Sequence, residues 1–226
     1  MSDSRLPESA RVVVIGGGII GCSVAYHLAD MGCSDVVVLE QSQLTAGTTW
    51  HAAGLMTTYG SLSETSLEMR KYSRELYARL EEETGQETGF QPVGFIEVAS
   101  NPDYLEEQLR VSAFNRLHGI DVVEISPAEI KELFPLAETK DILAGFYTAT
   151  DGRINPVDVT MALAQGARMR GVKVLQNTPV TGVLTSIGAV SGVTTGTDII
   201  KAVVVVICAG RWARPVGDLS GVSLPN

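Results

Sequence analysis

Basic residues, cysteines and long apolar runs are all scarce in this 226-residue chain, and each scarcity removes a class of function. Lys and Arg total 17 against 26 Asp and Glu, for a formal net charge of -9. Without a basic cluster the chain lacks the positive surface that nucleic acids or anionic membranes require, so small molecules are the expected partners. The longest apolar runs, VVVIGGGII and AVVVVICAG, are too short and too glycine-interrupted to span a bilayer, and both read as buried parallel strands. The three cysteines, Cys22, Cys33 and Cys208, lie far apart with no CxxC spacing and read as small hydrophobes in a reducing compartment. His27 and His118 have no metal-like partner nearby in sequence, and no metal is expected. The opening MSDSRLPESA carries Asp3 and Glu8 and no apolar segment, so the expected location is the cytoplasm, or the mitochondrial matrix for a processed organellar form. Internal repeats and low-complexity linkers are also missing, while 45% hydrophobic residues suffice for a real core.

Against these absences stands VVVIGGGIIGCS, in which Gly16, Gly18 and Gly21 follow β-type residues and open an apolar, helix-forming stretch. In a GxGxxG turn the first glycine permits the tight strand-to-helix reversal. The second lets backbone approach a pyrophosphate, and the third lets helix and strand pack closely. The pyrophosphate then rests on a helix N-terminus, where N–H groups and the dipole favour negative charge. A lone GxGxxG is weak, so its context decides. Arg11 to Ile15 reads as a buried strand, Ile19 to Met31 as a helix closed by Gly32, and Val36 to Leu39 as a second strand ending in Glu40. That acid stands about 20 residues beyond the last glycine, where the fold needs an acceptor for ribose hydroxyls. The competing reading is a glycine-rich turn in some other α/β protein.

After Glu40 the stretch QSQLTAGTTWHAAGLMTTYGS has no period and reads as a ligand-holding loop. Glu64 to Glu83 is an amphipathic helix with Leu67, Met69, Tyr72, Leu76 and Leu80 as its apolar residues. GFIEVAS is a strand, and Asp103 to Leu117 a helix with Leu105, Leu109 and Leu117 inward. IDVVEIS is a strand, SPAE a capping box before a short helix, and AGFYTAT another strand. Asn155 and Pro156 open a helix running to Arg170. VKVL, PVTGVLTS, AVSGVTT and IIKAVVVVICAG form four strands, the last so rich in β-branched residues that burial on both faces is expected. The class is α/β: a nucleotide-binding layer from residues 1–60 and 150–226, with 61–149 inserted as a second portion.

The segments LEQSQLTAGTTWHAAGL, EEETGQETGF and DGRINPVDVTMALAQGA resemble the dimethylglycine and sarcosine dehydrogenases, flavoproteins of the D-amino-acid oxidase superfamily. The likeness spans nearly the whole chain. It implies a Rossmann-like FAD-binding domain with an incomplete α+β substrate-domain portion. It implies FAD as cofactor, an N-methylated amine as substrate, and hydride transfer from the N-methyl carbon to flavin. The resulting iminium hydrolyses to formaldehyde or passes its one-carbon unit to tetrahydrofolate, the latter only where a further C-terminal region exists. Electrons would pass on to oxygen or an electron-transfer flavoprotein.

In that family the histidine of the WHAAG motif is joined to the flavin 8α-methyl carbon, which makes His51 the linkage candidate here; a noncovalent contact or plain loop histidine is the alternative. The resemblance also implies that Gln41 belongs to the cofactor site and that Thr45, Ala46, Gly47, Thr48 and Thr49 wrap the pyrophosphate and flavin, an ordinary turn being the alternative. It implies further that Val180 meets the adenine, and that Ala209 and Gly210 approach the dinucleotide, while Trp212 simply covers it. No catalytic residue is assigned. The chain corresponds to a front portion of those relatives, without the returning segment that clamps the flavin, so turnover by this polypeptide alone is not expected. Two other readings stand beside the leading one: a noncovalent flavin amino-acid oxidase, and a non-catalytic FAD-fold protein resembling the pyruvate dehydrogenase phosphatase regulatory subunit. A nicotinamide-only dehydrogenase fits the long glycine and threonine loop less well.

Overall fold

The computed structural model describes residues 6–223. In chain order the strands and helices begin with β1 (Ser9–Ile15), α1 (Ile19–Asp30), β2 (Val36–Leu39), β3 (Leu55–Met56), α2 (Glu64–Thr84), β4 (Phe95–Ala99) and α3 (Pro102–Leu117). There follow β5 (Val123–Ile125), α4 (Pro127–Leu133), β6 (Ala144–Thr148), β7 (Gly152–Arg153) and α5 (Pro156–Met169). The chain ends with β8 (Lys173–Leu175), β9 (Gly182–Ser186), β10 (Ala189–Thr195), β11 (Asp198–Ile207) and α6 (Ala213–Asp218). Two compact units result. One runs through Ala53, takes in Leu80–Thr88 and resumes at Pro156; the other comprises Gly54–Arg79 and Gly89–Asn155. Residues 54–60 and 150–155, which sequence places with the nucleotide-binding layer, fall in the second unit because β3 pairs antiparallel with β7 there.

The first unit is built on a six-stranded sheet in the order β8-β2-β1-β11-β10-β9. The four strands β8, β2, β1 and β11 are parallel, and β10 and β9 extend the sheet antiparallel. In β1 and β2, which are flanked on both edges, Val13, Val14 and Val38 are fully buried. On one face Val13, Ile15, Val37, Leu39, Val193 and Ile200 form a continuous apolar cluster. Helices α1 and α5 pack on each other through small residues, with Ala25, Ala162 and Ala167 at 0% exposure. Polar contacts fasten that pair at its edge: the Tyr26 hydroxyl donates to Glu83 at 2.6 Å, and Arg170 lies 5.0 Å over the Tyr26 ring while pairing with Asp30. Burial, with the Glu83 hydrogen bond, pushes the Tyr26 phenol up to about 12.

Strand β11 departs from expectation. Val203 is 72% and Val204 44% exposed, so the strand is covered on both sides only in part. Its β-branched run reports pairing between β1 and β10, which satisfies the backbone without requiring that every side chain be covered.

The second unit carries the three-stranded antiparallel sheet β4-β6-β5, whose Ala99 and Phe146 form a core with Tyr59, Val111 and Val122. Ser126 and Glu129 form the expected capping box at α4. Helix α3 follows its apolar pattern only at Leu105, which packs against the core; Leu109 and Leu117 are exposed, while Gln108, Val111, Ser112 and Asn115 are buried. The reason is hydrogen bonding. Gln108 accepts from the Tyr59 hydroxyl at 2.6 Å, and Asn115 both accepts from Gly60 N–H and donates to the Ser61 carbonyl. Met69 and Tyr72 of α2 are likewise exposed, although Leu67, Leu76 and Leu80 are buried as expected.

Asp151, fully buried, organises the same region by accepting from Thr58 N–H and Oγ1, both at 2.7 Å, and from Tyr59 N–H at 3.3 Å. Asp151→Ala strands these donors and is expected to cost about 3 kcal/mol or more, whereas Asp141→Ala on the surface costs under about 0.5 kcal/mol. Urea denaturation of the two variants checks this, and equal midpoints would contradict it.

Candidate functional site

The site forms where β1 gives way to α1. Gly16 has φ +114°, and a Cβ there would stand 2.4 Å from the carbonyl oxygen of Cys208 on the neighbouring β11 turn. Gly21 is more constrained still: its Cβ would fall 1.9 Å from the Gly16 carbonyl oxygen, so α1 can sit on the strand end only without a side chain there. The middle glycine, Gly17, lies outside the fingerprint, yet a Cβ on it would meet Leu44 at 2.5 Å and the Cβ of Glu40 at 2.8 Å.

Glu40 therefore lies directly against the loop. Its Oε2 accepts the Gly17 N–H at 2.7 Å and its Oε1 accepts the Ser42 N–H at 2.9 Å. A carboxylate offers about four acceptor positions, so two such bonds leave acceptor capacity for hydroxyls beyond them. The same loop is tied elsewhere: Thr45 N–H donates to the Gly17 carbonyl, Leu44 N–H to Gln176 Oε1, and Asn177 N–H to the Ser42 carbonyl. Thr45 takes φ +69°, a costly value for a β-branched residue, and is buried. Helix α1 has Gly18 at its N-cap with no side chain to cap it, and the Thr49 hydroxyl supplies the missing acceptor for Ile19 N–H at 3.1 Å.

These ties enclose a cavity of about 480 Å³ within the first unit. Of the residues singled out from sequence, Gly16, Gly18, Glu40, Gln41, Ala46, Gly47, Thr48, Thr49, Val180, Ala209, Gly210 and Trp212 line it. Gly21, Thr45 and His51 do not: Gly21 packs helix on strand, Thr45 supports the loop from beneath, and His51 is solvent-exposed between the lining residues Thr49 and Ala52. Sequence reading passed over Ile15, Ile19, Ile20, Leu39, Ser42, Cys208 and Val216, apolar or small residues whose place follows only from the strand order. Glu40 is the one charged residue in the lining.

His51 closes a 3-10 turn, Thr49–His51. Its Nδ1 lies 3.2 Å from the Gly47 carbonyl oxygen, and the Trp50 ring sits 3.8 Å from the imidazole, tilted by 35°. His27 bonds instead to Ser23 on its own helix and His118 caps α3, so neither joins the site. Cys22, behind the glycine turn, is pushed up to about 12 by burial, and burial also raises Cys208. Among the described residues no cluster of His, Cys, Asp and Glu is arranged to hold a metal ion, and no helix is long and apolar enough to cross a membrane.

A family model described as FAD dependent oxidoreductase, DAO, matches residues 11–225. The chain is 44% identical to dimethylglycine dehydrogenase, mitochondrial, of Rattus norvegicus, covering 96% of this chain and 25% of that protein. It is 41% identical to sarcosine dehydrogenase, mitochondrial, of Homo sapiens, over 97% of this chain and 24% of that protein. It is also 41% identical to the pyruvate dehydrogenase phosphatase regulatory subunit, mitochondrial, of Mus musculus, over 94% of this chain and 24% of that protein. Among solved structures, L-proline dehydrogenase from P. horikoshii matches with a TM-score of 0.90 at 30% identity, over 97% of this chain and 58% of that one. The chain thus spans about a quarter of the length of these curated relatives.

The glycine geometry separates two roles that the motif alone merges. In protein free of any nucleotide, Gly21→Ala is expected to lower stability by about 1–3 kcal/mol through overpacking against backbone. Gly18→Ala, whose Cβ would meet only the Thr49 hydroxyl at 3.2 Å, costs less. Chemical denaturation of both variants checks the order, and a reversed ranking would contradict the packing role of Gly21.

Proposed function

Because the chain belongs to the FAD dependent oxidoreductase (DAO) family, we propose that its first unit binds FAD as the cofactor of an N-methyl amine oxidoreductase of the dimethylglycine or sarcosine type. The observation that carries this reading is the Glu40 carboxylate, held against the glycine loop at the amino end of α1 and facing a cavity lined by glycine, threonine and aliphatic residues. In it, Gly16 and Gly18 receive the diphosphate and Glu40 accepts from the ribose hydroxyls. Val180 meets the adenine, and Gln41, Gly47, Thr48, Thr49, Ala209 and Gly210 border the remainder. Gly21 and Thr45 serve by shaping the loop rather than by contact.

His51 is the attachment point of the flavin. A carbonyl oxygen can only accept, so the 3.2 Å contact with Gly47 favours the tautomer with the proton on Nδ1 and a free Nε2 lone pair as nucleophile. The N–C bond would replace one 8α C–H bond, the proton being lost and the flavin reduced by two electrons, which oxygen would then take up. Exposure of the imidazole beside the lining residues Thr49 and Ala52 supports its access to a ring that leaves the cavity there. Bound FAD supplies a two-electron acceptor for hydride from an N-methyl carbon. The products, formaldehyde or a folate-bound one-carbon unit, and the onward acceptor, oxygen or an electron-transfer flavoprotein, belong to the proposal, as does tetrahydrofolate where a further region binds it. Relatives named as mitochondrial support the matrix as an option for its compartment. The likeness to a regulatory subunit keeps a non-catalytic reading as the competitor, distinguished by what becomes of flavin at His51.

Expression with ample flavin is expected to give yellow protein whose colour survives acid precipitation, with the flavin on the peptide containing Thr48–Gly54. His51→Ala is expected to release all flavin on denaturation. Flavin set free by acid from the unaltered chain would overturn the linkage, and colourless protein would overturn FAD binding itself.

A further inference from the structure

The cavity is bounded on one side by the loop after β2 and on the other by the turn after β11, and one side chain spans the two. Trp212 lines the cavity, and its Cζ3 stands 3.4 Å from the point that a Cβ on Gly47 would occupy. Trp212 closes a 3-10 turn, Gly210–Trp212, through its N–H to the Ala209 carbonyl at 3.0 Å. That turn fixes the backbone and leaves the ring free to swing about its own side-chain bonds. The guanidinium of Arg211 restricts it: its Cζ lies 4.3 Å from the Trp212 ring centroid. Among the described residues no carboxylate pairs with Arg211, although the chain carries an excess of nine negative charges. Arg211 is exposed, so its guanidinium meets solvent and the indole face and no acid.

We propose that Arg211 is a positioning residue for cofactor retention: stacked on Trp212, it holds the indole across the cavity beside Gly47 and so sets how fast a bound dinucleotide leaves. This rests on the reading of the cavity as an FAD site. Arg211 acts through the indole, not by touching the ligand, so its effect exists only while Trp212 is present. Sequence had given Trp212 no more than a covering role and Arg211 none.

ADP is the probe, because it carries the diphosphate and adenosine of the cofactor but no ring that His51 could capture. Its release from the full chain is followed by stopped-flow displacement. Arg211→Ala is expected to speed release about fivefold, the equivalent of one cation–π contact at a partly exposed site. Arg211→Lys, which keeps a cation on the ring, restores most of the loss. Trp212→Leu also speeds release, and adding Arg211→Ala to it changes nothing further. Unchanged release in Arg211→Ala would overturn the proposal. Fully additive effects would overturn it too, since the guanidinium would then be acting on the diphosphate directly. Failure of the unaltered chain to bind either ADP or FAD would instead overturn the reading of the cavity, an outcome distinct from the other two.

Discussion

The bond from Gly17 N–H to the Glu40 carboxylate is the contact on which the rest of the cavity depends. It joins the carboxyl end of β2 to the turn between β1 and α1, and it is feasible only because residue 17 has no Cβ. Once Glu40 is fixed, the loop beyond it follows. Thr178 N–H bonds to the Glu40 carbonyl, Asn177 N–H to that of Ser42, and Thr45 N–H to that of Gly17. Thr49, farther along, then delivers its hydroxyl to Ile19 and caps the helix whose amino end faces the cavity. A negative charge near that end is itself favoured by the helix dipole. Each of these bonds is modest alone, and together they tie the loop down at several points.

Much of this was legible in the chain. The strand, turn, helix, strand and acid sequence from Arg11 to Glu40 follows local rules of pattern and steric need, and the capping box at Ser126 follows from a reciprocal pair four residues long. What escaped was decided at long range. The glycine at 17 matters because of Leu44 and Glu40, neither of which its neighbours announce. The buried face of α3 is polar because Tyr59 and the backbone at Gly60 and Ser61 meet it, and a rule that seeks leucines on the inner face selects Leu109 and Leu117 instead. The exposure of Val203 and Val204 shows the same limit: β-branched composition reports that a strand is paired, and burial depends on what lies over it. His51 could be picked out by its motif, but its exposure and the anchoring of Nδ1 on Gly47 needed the turn geometry.

The division of labour follows. Every residue assigned to the dinucleotide lies in the first unit, whose cavity carries a single charge and otherwise presents backbone, hydroxyls and aliphatic groups. In the proposed function, such a lining would suit an extended molecule with a localised diphosphate, which the helix end would receive. In the second unit the buried side chains of Asp151, Gln108 and Asn115 are each hydrogen-bonded within the unit. In the proposed function, chemistry at an N-methyl carbon would depend on how the flavin ring is held beyond Thr49, where the rings of Trp50 and His51 lie 3.8 Å apart.

The most direct measurement is amide chemical-shift mapping of the full chain titrated with ADP. The account predicts that the largest shifts fall on Gly16 to Ile20 and on the Glu40 to Ser42 backbone. Binding that left those amides unmoved while shifting residues elsewhere would contradict it.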